Sequence, residues 1–216
     1  MKDIAVYGEG GFGREVACLI NRINQAAPTP IWNFVGFFDD APSKQGTNNE
    51  YGKVLGNRET LNNWDKEISI AIGIGSPNAV RAISNRITNP MVDFPNLIDP
   101  TVLIADENNY KIGKGNIFTS RCTISIAVTV GNFNIFNNGT VLGHDDIIGN
   151  YNSFMPNVNV SGGVKIGDCN FFGVKSTVLQ YLTIGNNTKV AANSLIMRNT
   201  KDGFLYIGVP AKKTEL

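Results

Sequence analysis

The chain has 216 residues, 42% of them apolar and 17% charged, with a net charge of +1; this describes one or two ordinary globular domains and gives no basic footprint for nucleic acid. Cys18, Cys122 and Cys169 share no metal-ligand spacing and no even-numbered disulfide framework, so they are expected to be buried thiols. No charged-then-apolar leader and no apolar run of membrane-spanning length is present, so the expected location is cytoplasmic.

Asp3 to Tyr7 reads as a buried strand, and Arg14 to Gln25 has helical apolar spacing through Val16, Leu19, Ile20 and Ile23. Between them Gly8, Gly10 and Gly13 form a G-x-G-x-x-G loop, which lets backbone N–H groups and a helix N-terminus approach a phosphate. The same glycines would also permit close strand-to-helix packing, so both readings stand at this point. A second strand, Ile31 to Phe38, ends in Asp39-Asp40, where a parallel sheet presents ribose- or base-binding acids. Asp39 lies 26 residues after Gly13, too far for the dinucleotide pattern, which favours a mononucleotide or nucleotide-sugar over a nicotinamide cofactor. Val54 to Leu61 reads as a linking strand and turn, and Ile68 to Ile74 as a third strand. It leads through Gly75-Ser76-Pro77 into a helix over Asn78 to Arg86. Residues 1–90 are therefore expected to form a small Rossmann-like α/β unit, and 91–216 a second domain. Phe94 to Pro100 is expected to connect the two, with Ala105 to Tyr110 interrupting the pattern that follows.

From Ile112 to Ile196 an apolar residue recurs every six positions, fifteen times without a miss. At the chain's apolar fraction that run would arise by chance in roughly two cases per million, so the repeat is real. At every third unit the apolar residue is followed by glycine, as in Ile112-Gly113, Val130-Gly131 and Ile148-Gly149. Six fits neither a helix nor simple alternation; it fits a triangular solenoid in which three hexapeptides make one coil. Five coils of parallel β-helix are expected. Small or polar residues such as Thr140, Val158, Ser176, Thr188 and Ser194 suit the corners, and Asn and Gly are expected to supply the left-handed backbone of the turns.

The chain's one histidine, His144, lies in this repeat, followed by Asp145 and Asp146. An imidazole beside a carboxylate suits a general base at neutral pH, although a histidine in a polar turn needs no such role. Strand alternation alone does not decide which carboxylate is its partner. A lone histidine excludes a three-histidine zinc site, and no Ser, Cys or Lys stands beside it as a nucleophile, so direct transfer is the simpler chemistry. One coil further, Gly162 offers bare backbone able to donate an N–H to an acyl carbonyl, or simply turns the chain. Phe133, Tyr151 and Tyr181 are candidate apolar contacts at or near outer faces of the prism, or equally residues of the core or of the surface under the N-terminal unit.

The glycine loop, the terminal Asp39-Asp40, the hexapeptides, the His-Asp pair and the Gly208-Val209-Pro210-Ala211-Lys212 tail together resemble the bacterial sugar O-/N-acyltransferases of the sialic acid O-acetyltransferase type. That group includes enzymes acting on nucleotide-linked 4-amino-4,6-dideoxy sugars. The resemblance covers nearly the whole chain and implies a left-handed β-helix, a homotrimer, and acetyl-CoA lying between adjacent prisms. It implies His144 as general base with Asp145 as its partner, and Asn137 as a sugar contact. Gly162 and Ala192 would then hold the acetyl and pantetheine portions of the coenzyme, and Gly208, Val209, Pro210 and Lys212 its adenosine end. Gly10, Gly11, Gly13, Asp39 and Asp40 would hold the nucleotide of the acceptor, and no metal is implied. Two positions depart from the pattern: Ser153 stands where many relatives carry a second histidine, and Asp99 where the connector often has one. The expected function is N-acetylation of a nucleotide-linked amino-deoxy sugar; the alternatives are O-acetylation of sialic acid or another free sugar, and a non-catalytic sugar-nucleotide-binding scaffold.

Overall fold

The computed structural model describes residues 1–215. In the N-terminal unit β1 (Lys2–Tyr7) leads into α1 (Gly11–Ala26), followed by β2 (Trp32–Phe38), a short antiparallel pair β3 (Asn48–Asn49) and β4 (Gly52–Gly56), then α2 (Arg58–Asn62), β5 (Ile68–Ile72), α3 (Pro77–Arg86) and β6 (Val92–Asp93). The strand order is β3-β4-β2-β1-β5-β6, parallel apart from β3. β1 is apolar on both faces because helices cover both: Ile4 and Val6 meet Val16 and Ile20 of α1, while Ala5 and Tyr7 share a core with Leu61 of α2 and Val80 of α3. The chain leaves β1 toward β2 on one side and returns to β5 on the other, so the loops after β1 and β5 flank the switch point, where α/β sheets open a crevice.

The expected division at residue 90 leaves β6 on the far side, yet β6 pairs with β5, and Leu97–Ile98 already belongs to the solenoid. The stretch expected to be a connector is thus its first strand. Leu97–Ile98 pairs with Ile117–Phe118, 20 residues on, whereas later coils repeat at 18, as in Ile117–Phe118 with Ile135–Phe136. Extra residues between Leu103–Ile104 and Lys111–Ile112 account for the difference and hide the first coil from the six-residue period.

Three parallel sheets form the sides of a triangular prism, with five complete coils between Leu97 and Ile184 and a partial one above. The sixth-position residues point inward, and Phe118, Phe136, Phe154 and Phe172 stack at centroid spacings of 4.3, 4.8 and 4.6 Å behind the first sheet. Each corner carries one left-handed residue; the expectation that Asn and Gly fill these places holds at Gly115, Gly139, Asn157, Gly163, Asn187 and Asn193 but needs correcting at the others. Arg121, Phe133, Asp145, Tyr151, Cys169, Lys175 and Tyr181 all have φ near +60°. A side chain there costs roughly 1–2 kcal/mol. The compensation comes from stacking, because the left-handed turn aims each N–H at the coil below, as in Asp145 N–H to the Ile126 carbonyl (3.0 Å) and Tyr151 N–H to the Asn132 carbonyl (2.9 Å). The next residue turns into the corner and is buried, including Thr140, Val158, Ser176, Thr188 and Ser194 as expected.

The N-terminal unit lies over the first sheet of the prism and the corner between its third and first sheets. Leu97 and Ile117 join the core on the α1 side, and Phe133 and Ile135 the core on the α3 side. Phe133 stacks on Tyr151 (5.6 Å) and meets Phe94 edge-on (5.1 Å), so Phe133 and Tyr151 serve the union of the two units and not an outer face. Tyr181 is 75% exposed, and Cys18 is exposed too, unlike the buried Cys122 and Cys169.

Asp99 fastens α1 to the first coil. Its carboxylate, 2% exposed, accepts from Arg22 Nε (2.7 Å) and Nη2 (3.1 Å), and from the Thr101 N–H and hydroxyl. Burial pushes the Asp99 carboxyl up, but these donors outweigh it and hold it at about 2. A folded-state value below the ordinary one stabilises the protein above the ordinary carboxylate pKa and loses that contribution as pH falls toward 2. Asp99→Asn is therefore expected to cost on the order of 2 kcal/mol at pH 7. In urea unfolding the gap to wild type should narrow as the pH is lowered from about 4 toward 2. A gap that does not change with pH would mean that the carboxylate charge contributes nothing.

Candidate active site

The predicted site residues fall into three groups. The first surrounds the glycine loop. Gly13 packs against bare backbone: a Cβ on it would lie 1.8 Å from the Gly8 carbonyl oxygen, and one on Gly73 would lie 2.6 Å from Gly13 Cα. Gly8 has φ +103°. These glycines serve close packing, whereas a Cβ on Gly10 or Gly11 meets nothing within 4 Å, and the first turn of α1 has no side-chain cap. The loop therefore packs at its ends and leaves its crest open. At the end of the loop Phe12 and Glu15, in the first turns of α1, line a cleft of about 200 Å³ with Gly75 after β5 and Ile135, Asn137 and Met155 of the solenoid. Asn137 is thus brought to the loop.

Asp39 and Asp40 stand at the end of β2 and are engaged within the chain. Asp39 accepts the Glu9 N–H (2.9 Å) and the Ala41 N–H (2.9 Å); Asp40 accepts the Arg58 N–H (2.9 Å) and pairs with its guanidinium. Sequence reading overlooked Glu9. It is 6% exposed, and it bonds Asn49 (2.5 Å) and Lys44 Nζ (2.5 Å), so the loop is tied to the segment after β2. Lys44 foremost holds the Glu9 carboxyl below its usual range. A carboxylate inside the glycine loop was the available signal.

The second group occupies the corner between the second and third sheets, the vertex opposite the face that the N-terminal unit covers. Asp145 takes the left-handed position, φ 60°, so strand alternation does not apply to it, and its Oδ2 lies 2.8 Å from His144 Nδ1. A carboxylate only accepts, so Nδ1 carries a proton, and in the neutral ring Nε2 keeps its lone pair. Both side chains are at least half exposed. The imidazole lies against Gly162 one coil above, where a Cβ would sit 2.4 Å from Nε2. The Ser161 and Gly163 N–H groups donate to the carbonyls of Val178 (3.0 Å) and His144 (2.7 Å); the Gly162 N–H between them has no acceptor among the described residues. Asp146 turns inward. It is fully buried, and burial pushes its carboxyl up to about 7 against two N–H donors and the nearby histidine. Asp145, not Asp146, is the partner of His144. Ser153, at the place of the missing second histidine, is 1% exposed in the first sheet, paired with Ile135.

The third group lies at the C-terminal end. Leu205–Gly208 pairs with Lys189–Val190 and folds back antiparallel on Ala211–Thr214. Pro210 and Lys212 join Arg198, Lys201 and Lys213 around a groove of about 580 Å³, cationic enough to receive phosphates. Gly208 and Val209 form the adjoining turn, and Ala192 is exposed at the neighbouring corner. Above His144 the same vertex carries Gly162, then Gln180 and Tyr181, then Met197 and Arg198 at the groove. Among the described residues no cluster of His, Cys, Asp or Glu is placed to hold a metal ion, and no helix is long and apolar enough to cross a membrane.

Residues 3–87 match the family described as the PglD N-terminal domain. The whole chain superposes on PerB from Caulobacter crescentus in complex with CoA and GDP-perosamine, with a TM-score of 0.88 and 23% identity over 99% of this chain and 98% of that one. The acetyltransferase domain of PglB from Neisseria gonorrhoeae, in complex with acetyl coenzyme A, gives 0.86 and 25% over 99% of each. A variant of perosamine N-acetyltransferase from Caulobacter crescentus with one histidine replaced by asparagine, bound to CoA and GDP-perosamine, gives 0.84 and 21% over 99% and 97%. An α/β unit followed by a left-handed parallel β-helix is the fold of the whole chain.

Proposed function

We propose that this chain is an acetyl-CoA-dependent N-acetyltransferase acting on the amino group of a nucleotide-linked amino-deoxy sugar, and that it works as a homotrimer. The observation that carries the reading is the His144–Asp145 pair lying against Gly162, whose N–H has no acceptor among the described residues. The similarity to the PglB domain with acetyl coenzyme A and to PerB with CoA and GDP-perosamine supports both substrates. The open crest of the glycine loop favours a phosphate-bearing acceptor over a free sugar.

The geometry also argues for more than one copy. The nucleotide crevice with Asn137 is on the covered side of the prism, and His144 is on the opposite vertex. One copy's crevice is thus served by another copy's histidine. Around that vertex Ile126 and Ile147 are about half exposed, and Tyr181 more so, as a partner surface would be.

Acetyl-CoA supplies the acetyl group as a thioester. Arg198, Lys201, Lys212 and Lys213 hold its phosphates, with Ala192 of a neighbouring copy beside the arm. Asn137, Gly10 and Gly11 orient the nucleotide-sugar, and Asp39 and Asp40 set the shape of the pocket for its nucleoside. His144 Nε2 takes the proton of the amine as its nitrogen bonds the acetyl carbon, Asp145 stabilises the resulting imidazolium, and as the C–S bond breaks that proton passes to the departing CoA thiolate, which leaves as free CoA. The Gly162 N–H donates to the acyl oxygen as negative charge develops on it.

Release of free CoA, with UDP-, dTDP- and GDP-linked 4-amino-4,6-dideoxy sugars and free sialic acid as acceptors, tests the reading. Turnover with one nucleotide amino sugar, and a product heavier by one acetyl group, is expected. Turnover with sialic acid alone would replace the proposal with O-acetylation and leave the glycine loop as packing.

A further inference from the structure

The residue that closes the second corner is apolar in the coils around His144: the buried Val128 below and Val164 above, and the half-buried Leu182 beyond. In the coil of His144 itself it is Asp146, fully buried. The third corner shows what a polar residue does at this position. Asn116, Asn134 and Asn152 each accept, through Oδ1, the N–H of the residue 18 further on (2.8, 2.8 and 2.9 Å), and the Asn116 and Asn134 amide nitrogens donate to the Gly131 and Gly149 carbonyls. Asp146 Oδ1 likewise accepts the Val164 N–H at 2.9 Å, but Oδ2 accepts a second N–H, that of Gly143, at 2.8 Å. An asparagine here would set a donor against a donor, so the position calls for two acceptors, which a carboxylate provides.

Those two N–H groups flank the chemistry. Gly143 precedes His144, and Val164 follows Gly162 and Gly163. We propose that Asp146 is a positioning residue that locks the His144 turn to the Gly162 turn, and so fixes the distance between the Nε2 base and the N–H that receives the acyl oxygen. It touches neither substrate. This inference rests on the roles given above to His144 and Gly162.

Asp146→Asn and Asp146→Val test it together. Valine occupies the equivalent place in the coils on either side, so the second variant keeps the corner packed. Because His144 is the chain's one histidine, its ring protons give an unambiguous NMR signal, and nuclear Overhauser contacts to the Gly162 α-protons report the distance directly. Both variants are expected to weaken those contacts and to lower kcat by about 10–100-fold while KM for acetyl-CoA holds within about twofold. Contacts or kcat unchanged in both variants would overturn the proposal, as would a lowered melting temperature with unaltered ring contacts. Failure of both to fold would overturn it too, since Asp146 would then serve the solenoid as a whole. If the wild-type protein transfers no acetyl group, the proposed function falls, and the ring contacts still decide the role of Asp146.

Discussion

Replacing His144 with alanine is expected to lower kcat for acetyl transfer by roughly 10²–10⁴-fold, the usual contribution of a positioned general base. Affinity for CoA should stay close to wild type, because the cationic groove around Arg198 and Lys212 lies coils away from the ring and shares no side chain with it. Steady-state rates combined with calorimetric titration of CoA separate the two effects. Unchanged turnover would remove His144 from the chemistry. Equal losses of turnover and CoA affinity would make it a coenzyme contact and not a base.

The second large effect is expected at Gly13. A methyl group there would lie 1.8 Å from the Gly8 carbonyl oxygen and 2.8 Å from its carbon, both backbone atoms with no side chain to swing aside. Gly13→Ala must open the loop between β1 and α1, at a cost of roughly 1–3 kcal/mol or more. Nucleotide-sugar binding should disappear with the loop geometry. Gly10→Ala and Gly11→Ala give the contrast, because neither added Cβ meets an atom within 4 Å. They should melt like wild type yet bind the nucleotide-sugar more weakly, since the new methyl group stands where the ligand approaches. If both bind as well as wild type, the loop exists to pack β1 against α1 and the acceptor binds elsewhere.

The prism was legible in the sequence because its inward residues are counted by a fixed period, and a period survives any choice among Ile, Val, Leu and Phe. Its first coil was not legible, since the longer excursion between Ile104 and Lys111 breaks the count although the pairing continues. Several of the left-handed corners were misassigned for a different reason. Local preference favours Asn and Gly, but hydrogen bonds to the coil below decide the conformation, and they hold Phe133, Tyr151 and Lys175 there despite the cost of a side chain. The same fact resolved Asp145 against Asp146, which alternation could not. Asp99 read as a departure from a pattern; its purpose appears only with Arg22, 77 positions earlier, at bonding distance. Phe133 and Tyr151 were visible as unassigned aromatics, but which surface claimed them depended on where the α/β unit lies.

Stacking also makes the solenoid a gauge of length. Coils follow one another at about 4.8 Å, the spacing of neighbouring strands, so the third coil with His144 and the partial sixth with Arg198 stand about 14 Å apart along the axis. If the acyl donor is clasped by its phosphates at the far end and cleaved at His144, coil number sets how long an arm can span the two. Inserting or deleting one hexapeptide triplet elsewhere would merely lengthen or shorten the prism. Between Gly162 and Arg198 it would move the thioester by about 5 Å, beyond reach of a base that depends on contact.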